Sequence, residues 1–148
     1  KLIKKNSEVN EQCLNIDIAP TILDLAGIEV PAYMQGESMV DLLKGHNSND
    51  WRNSILFEYY LDTYWPYAGP NQIAVRTERY KLVDAFLKND IDELYDLKND
   101  PGEMKNLIGI SEYDMIEEEL RKEANRLKEK YKYRADRDWW LRKVKKNN

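Results

Sequence analysis

Arg76, Arg79 and Lys81 crowd into six residues, shortly after an aromatic stretch, residues 61–71, that reads LDTYWPYAGPN. An arginine fork presents paired N–H donors that suit a sulfate or a carboxylate. Tyr64, Trp65, Tyr67, Asn71 and Gln72 offer flat rings with a few polar groups beside them, the surface type on which sugars stack. A structural reading stands next to this one. Tyr59 and Trp65 would then be core or domain-contact residues, and Arg76 would pair with a nearby carboxylate. Elsewhere the candidates are poorer. His46 opens a polar loop, HNSND, over 46–50. Asp90 lies near Asp92 and Glu93, and Asp96 near Asn99 and Asp100. The second group precedes Pro101-Gly102 and suggests a cation loop, but it lacks the alternating ligands of a calcium hand. Carboxylates beside tight turns bond their own backbone, so we read both groups as turn-forming. The acidic run at 117–119 reads as the wet face of a helix.

Composition sets the frame for these residues. The chain has 148 residues, 42% hydrophobic and 34% charged, which is the balance of a folded, soluble polypeptide. That is enough for one domain, or a small domain plus part of another. A net charge of −4 argues against binding driven by phosphate neutralisation. No apolar run approaches the roughly 20 residues of a membrane-spanning helix, and the front carries no signal-peptide pattern. Cys13 is the single cysteine, so no internal disulfide forms; this fits a cytosolic or bacterial protein better than a small secreted scaffold.

The elements follow from spacing. Residues 15–27, NIDIAPTILDLAG, read as a short helix, apolar nearly all round. Asp17 is expected to cap its start, Pro20 sits harmlessly in its first turn, and Gly27 supplies the left-handed stop. Too short to stand alone, it demands a larger body, so Lys1 is not expected to be the true start. A second short helix is expected over 39–44, capped by Ser38, with Met39, Leu42 and Leu43 inward. Strands are expected at 54–60, 72–76, 80–86 and 92–97, joined by turns into an antiparallel sheet. After the Asn99-Asp100-Pro101-Gly102 turn comes a long helix. Its start is assigned to a Ser111–Asp114 capping pair and an Ile110–Met115 staple. Tyr113, Ile116, Leu120, Ala124, Leu127 and Tyr131 form its inner stripe, so it is the natural cover for the sheet. The tail, 136–148, is basic and carries Trp139 and Trp140.

Taken in order, NIDIAPTILDLAGIEVPAYMQGESMVDLLKG from Asn15, AVRTERYKL from Ala74 and ELYDLKNDPGEMKNLI from Glu93 resemble the C-terminal portion of sulfatases of the alkaline-phosphatase-like superfamily. The resemblance implies an α+β fold: a four-stranded antiparallel sheet with a long covering C-terminal helix, preceded by the last helices of an α/β catalytic domain. It implies division into 1–52, the end of the catalytic domain; 53–135, the C-terminal subdomain; and 136–148, a basic aromatic tail.

The same resemblance implies a parent enzyme that hydrolyses sulfate esters, with a sulfated carbohydrate as substrate. A formylglycine nucleophile and a calcium ion are implied for that parent, since cations stabilise charge developing on the sulfuryl oxygens. Formylglycine arises within Cys/Ser-X-Pro-X-Arg, and Cys13 is followed by Leu14, Asn15 and Ile16. No catalytic or metal-binding residue therefore transfers to this chain, which by itself is expected to be inactive. What transfers is position beside the cleft. Tyr64, Trp65, Tyr67, Asn71, Gln72 and Arg76 are assigned to the substrate rim, although a histidine that several relatives carry just before the AVRT-like strand is replaced here by Asn71-Gln72-Ile73. The missing N-terminal catalytic domain is the expected partner, met through an apolar surface around Ile18, Ile22, Leu25 and Leu42. Family habit implies export in bacteria, or the lysosome in animals. Two alternatives stay open: a phosphodiesterase or phosphonate hydrolase of the same superfamily, and a stand-alone carbohydrate- or protein-binding module.

Overall fold

A computed structural model describes residues 3, 5–6, 8–46, 50–59, 72–85 and 91–133. The chain divides into two compact units, Lys1–Asn53 and Ser54–Asn148.

In the first unit a 3-10 turn, Asn15–Asp17, leads into helix α1, Ile18–Leu25. The expected stop is present. Gly27 adopts φ +71°, its N–H donates to the Asp24 carbonyl at 3.0 Å, and the Ile28 N–H reaches the Leu23 carbonyl at 2.9 Å. That crossed pair is the Schellman arrangement. The start differs from expectation. Asp17 caps no helical N–H; its carboxylate turns away to the Leu14 and Glu37 backbone and to Arg52. Helix α2, Val40–Lys44, ends at Gly45 in the left-handed region. The Ser38 hydroxyl accepts the Val40 N–H at 3.3 Å and donates to Asp24. Within the unit Ile18, Ile22 and Leu25 are exposed, as expected, but Leu42 is buried together with Val40. α2 packs on α1, and Leu42 belongs to the covered side.

The second unit is the sheet and its helix. Strands β1 (Ser54–Tyr59), β2 (Gln72–Thr77), β3 (Tyr80–Ala85) and β4 (Glu93–Asp96) form one antiparallel sheet in sequence order. Side chains alternate between faces, so Val75, Leu82 and Leu94 share one side. There they join Leu120, Ala124 and Leu127 of helix α3, Asp114–Lys130, in a single core. The expected helical stripe is thus the buried one, with Tyr113, Ile116 and Tyr131 at its margins. The start of α3 departs from expectation. A 3-10 turn, Ser111–Tyr113, precedes it, and neither start has a side-chain cap. Ile110 packs on the core while Met115 is exposed, so no staple closes. The salt bridges Glu117–Arg121 at 2.8 Å and Glu118–Lys122 at 2.7 Å hold the outer face.

Candidate functional site: the outer sheet face

Of the residues assigned to the rim, Tyr64, Trp65, Tyr67 and Asn71 lie outside the described residues. Gln72 and Arg76 sit on β2 with Ala74 between them, so all three fall on the face turned away from α3. Gln72 is paired with Tyr59 on β1 and Ala85 on β3; Arg76 is paired with Ile55 and Lys81. Arg76 and, on the same face of β1, Phe57 and Tyr59 are exposed. Small Ala74, 8% exposed, is the floor between Gln72 and Arg76. A strand rises about 3.4 Å per residue, so the two polar side chains leave the sheet roughly 13 Å apart. That is the span of more than one sugar ring.

The cations beside Arg76 are already engaged. Lys81 pairs with Glu103 at 2.6 Å and stands 6.0 Å from the Tyr95 ring centre. Arg79 grips Asp96, Nε at 3.2 Å and Nη2 at 2.8 Å. Among the described residues no carboxylate lies within salt-bridge distance of Arg76. Among the described residues, Arg76 is thus the cation of the 76–81 cluster that enters no ion pair. Burial, then its hydrogen bond to Glu93, pushes the Tyr95 hydroxyl up to about 12.

The other acidic candidates hold the fold. Asp96 is buried, and it also accepts from Asn99 Nδ2 at 2.8 Å and the Lys98 N–H at 3.2 Å. Hydrogen bonds from Arg79, opposed by burial and helped by Asn99, keep it at about 2. Asp92 accepts the Ala85 N–H at 3.1 Å and pairs with Arg121 at 2.6 Å. Asp100 accepts the Lys105 N–H at 2.8 Å. Asp90 lies outside the described residues. His46 is exposed, 3.6 Å from Asp41. Cys13 is exposed, and its thiol is pushed up by partial burial and by the Asp17 charge. Among the described residues no three His, Cys, Asp or Glu side chains gather as a metal site. Cys13, followed by Leu14, Asn15 and Ile16, lacks the sequence context of formylglycine.

Sequence reasoning missed one polar centre, in the first unit. Asp17, fully buried, takes Arg52 in a bidentate grip at 2.5 and 2.7 Å, and accepts N–H groups from Leu14 at 2.7 Å and Glu37 at 2.9 Å. Burial pushes its carboxyl up, but these bonds, Arg52 first, hold it below the usual carboxylate range. The Arg52 guanidinium also lies 4.7 Å from the Trp51 ring centre. Gly36 completes the arrangement: a Cβ there would stand 2.0 Å from the Ile16 carbonyl oxygen. The only signal in the sequence was an acid opening an otherwise apolar helix.

Comparison with known proteins identifies the family. A family model described as N-sulphoglucosamine sulphohydrolase, C-terminal, matches residues 1–130, and the chain belongs to that family. Its fold is that of the C-terminal portion of sulfatases of the alkaline-phosphatase-like superfamily. An N-acetylglucosamine-6-O-sulfatase from Bacteroides thetaiotaomicron is 37% identical over 138 residues, covering 89% of this chain and 24% of the relative. A structure solved in complex with its substrate D-glucosamine-2-N,6-O-disulfate superposes with TM-score 0.73 at 34% identity, over 80% of this chain and 24% of that one. A phosphonate monoester hydrolase from Silicibacter pomeroyi also superposes with TM-score 0.73, at 25% identity, over 87% of this chain and 27% of that one. The chain thus spans about a quarter of the length of these relatives. Among the described residues no helix is long and apolar enough to cross a membrane.

Proposed function

We propose that this chain is the C-terminal portion of a sulfatase that hydrolyses sulfate esters of a carbohydrate, and that it supplies the rim of the substrate pocket. The observation carrying this is the family match over residues 1–130, joined by the similarity to an N-acetylglucosamine-6-O-sulfatase. The sulfatase reading ranks above the phosphonate hydrolase because the sulfatase relatives share the higher identity. Calcium and formylglycine belong, in this reading, to the remainder of the parent. That remainder is also the partner that covers the exposed Ile18, Ile22 and Leu25 of α1. Export of the parent goes with the family assignment.

In the rim, Arg76 offers paired donors to a sulfate or uronate carboxylate, and Gln72 holds a hydroxyl farther along the same face. Tyr64, Trp65, Tyr67 and Asn71 lie in the connection that runs from β1 into β2 and ends at Gln72. They supply the stacking surface. These groups bind and orient; bond cleavage falls to the remainder of the parent. In the full-length enzyme, Trp65→Ala, Gln72→Ala and Arg76→Ala are each expected to lower kcat/KM on the true sulfated sugar. For Arg76 the loss is about tenfold or more, the worth of a charge-assisted hydrogen bond. Values unchanged in all of them would reject the rim role.

A further inference from the structure

Arg76 on β2 and Lys81 on β3 are partners in register, so their side chains leave the same outer face of the sheet side by side. Like charges placed directly opposite one another repel. Of the two, only Lys81 is neutralised. The Glu103 carboxylate reaches Lys81 Nζ at 2.6 Å, whereas Arg76 enters no ion pair among the described residues. Glu103 is held there under strain. It sits at φ +54°, in the left-handed region that residues with a side chain seldom adopt, in the turn after β4. Asp100 fixes that turn: its carbonyl accepts the Glu103 N–H at 3.1 Å, and its carboxylate accepts the Lys105 N–H at 2.8 Å.

Arg76 and Lys81 are positive and Glu103 is negative, which leaves a single net positive charge at this spot. The other strand acid on the outer face, Glu93, stands on β4, two strands from Arg76, and accepts the Tyr95 hydroxyl at 3.0 Å. The Lys81 and Glu103 side chains are 25% and 34% exposed, so water screens them less than an open surface pair.

We propose that Glu103 sets the charge preference of the rim. By holding Lys81 it leaves one net positive charge beside Arg76, which matches a sulfate ester or a carboxylate and disfavours a dianion. A sulfate ester or a carboxylate carries one negative charge, and a phosphate monoester about 1.5–2 at pH 7. To gain a second cation, a dianion must draw Lys81 off Glu103. The stripped carboxylate then stands beside it as a like charge. Lysine suits a contact that is exchanged in this way, being a compact charge on a flexible stem. Glu103 is thus a positioning residue that acts through Lys81. The inference rests on the proposed place of Arg76 in the rim.

The test uses the full-length polypeptide that carries this chain and reads occupancy without catalysis. Arg76 is labelled with phenylglyoxal, the product is followed by peptide mass, and methyl sulfate and methyl phosphate are compared as protectants against chloride at equal ionic strength. In the wild type, methyl sulfate should protect Arg76 at the lower concentration. Glu103→Gln should lower the concentration of methyl phosphate needed by about tenfold, the worth of one charge-assisted bond, and change that of methyl sulfate much less. The same substitution made together with Lys81→Gln should produce no such shift. An unchanged order of the two protectants in Glu103→Gln, at an unchanged melting temperature, overturns the role of Glu103 and leaves the rim standing. So does a shift that persists without Lys81. If Glu103→Gln lowers the melting temperature, Glu103→Asp takes its place and should keep the wild-type order; a reversed order there overturns the role as well. Arg76 that resists labelling before any ligand is added, or that neither anion protects better than chloride, overturns both the rim and the role of Glu103.

Discussion

Asp17 shows how much of this chain rests on single polar groups. A buried carboxylate with a bidentate arginine and two backbone donors gains little net energy from being charged, but losing one partner strands the other. Asp17→Asn should therefore destabilise the first unit by about 3 kcal/mol, read as a shift of the denaturation midpoint at constant m-value. An unchanged midpoint would mean that Arg52 finds another anion. Asp96 makes a prediction in pH. Its folded value, about 2, lies below the ordinary 3.8. The stability it contributes is fully present above 3.8 and is lost as pH falls toward 2. Asp96→Asn should flatten the acid limb of stability in that window, and a limb identical to wild type would contradict the assignment. Sequence made the turn role of Asp96 legible, because Asn99 and the Pro101-Gly102 turn stand next to it. The Asp17 partners lie at Glu37 and Arg52, far along the chain, and no local spacing announces them. That is why the residue reads as a cap from sequence and is a tie in the structure.

Elements were more legible than their ends. Alternation and turn signals located each strand of the sheet, and the 3.6-residue stripe from Tyr113 to Tyr131 located the face of α3 that meets it. The stripe is set by burial, the largest favourable force available. The Ser111–Asp114 cap and the Ile110–Met115 staple rest on interactions of about 1 kcal/mol. Here the 3-10 turn and the burial of Ile110 prevail instead. The stripe carries its own test. Leu127 is 1% exposed between α3 and the sheet. Leu127→Ala should cost about 2–5 kcal/mol, measured by denaturant unfolding, whereas Met115→Ala on the exposed side should cost less than about 0.5. Equal costs would show that the helix does not pack as described. In the proposed rim, alternation alone could put Gln72 and Arg76 on one face. That Lys81 and Arg79 are spent on Glu103 and Asp96 needed the three-dimensional register.

At the scale of the molecule, an exposed apolar α1 and a match to about a quarter of each relative support the same proposal. On the proposed reading, the residues in hand hold and orient a substrate, and bond cleavage lies with the remainder of the parent. The sharpest question is then the element at the centre of the reaction, because sulfatase and phosphonate hydrolase share this fold. The full-length polypeptide, purified after co-expression with a formylglycine-generating activity, should be given N-acetylglucosamine 6-sulfate, other sulfated monosaccharides and a phosphonate monoester in parallel, with free sulfate and phosphonate measured. Sulfate release from a sulfated sugar is expected at a rate well above any phosphonate cleavage. Phosphonate cleavage with no sulfate released from any sugar would contradict it.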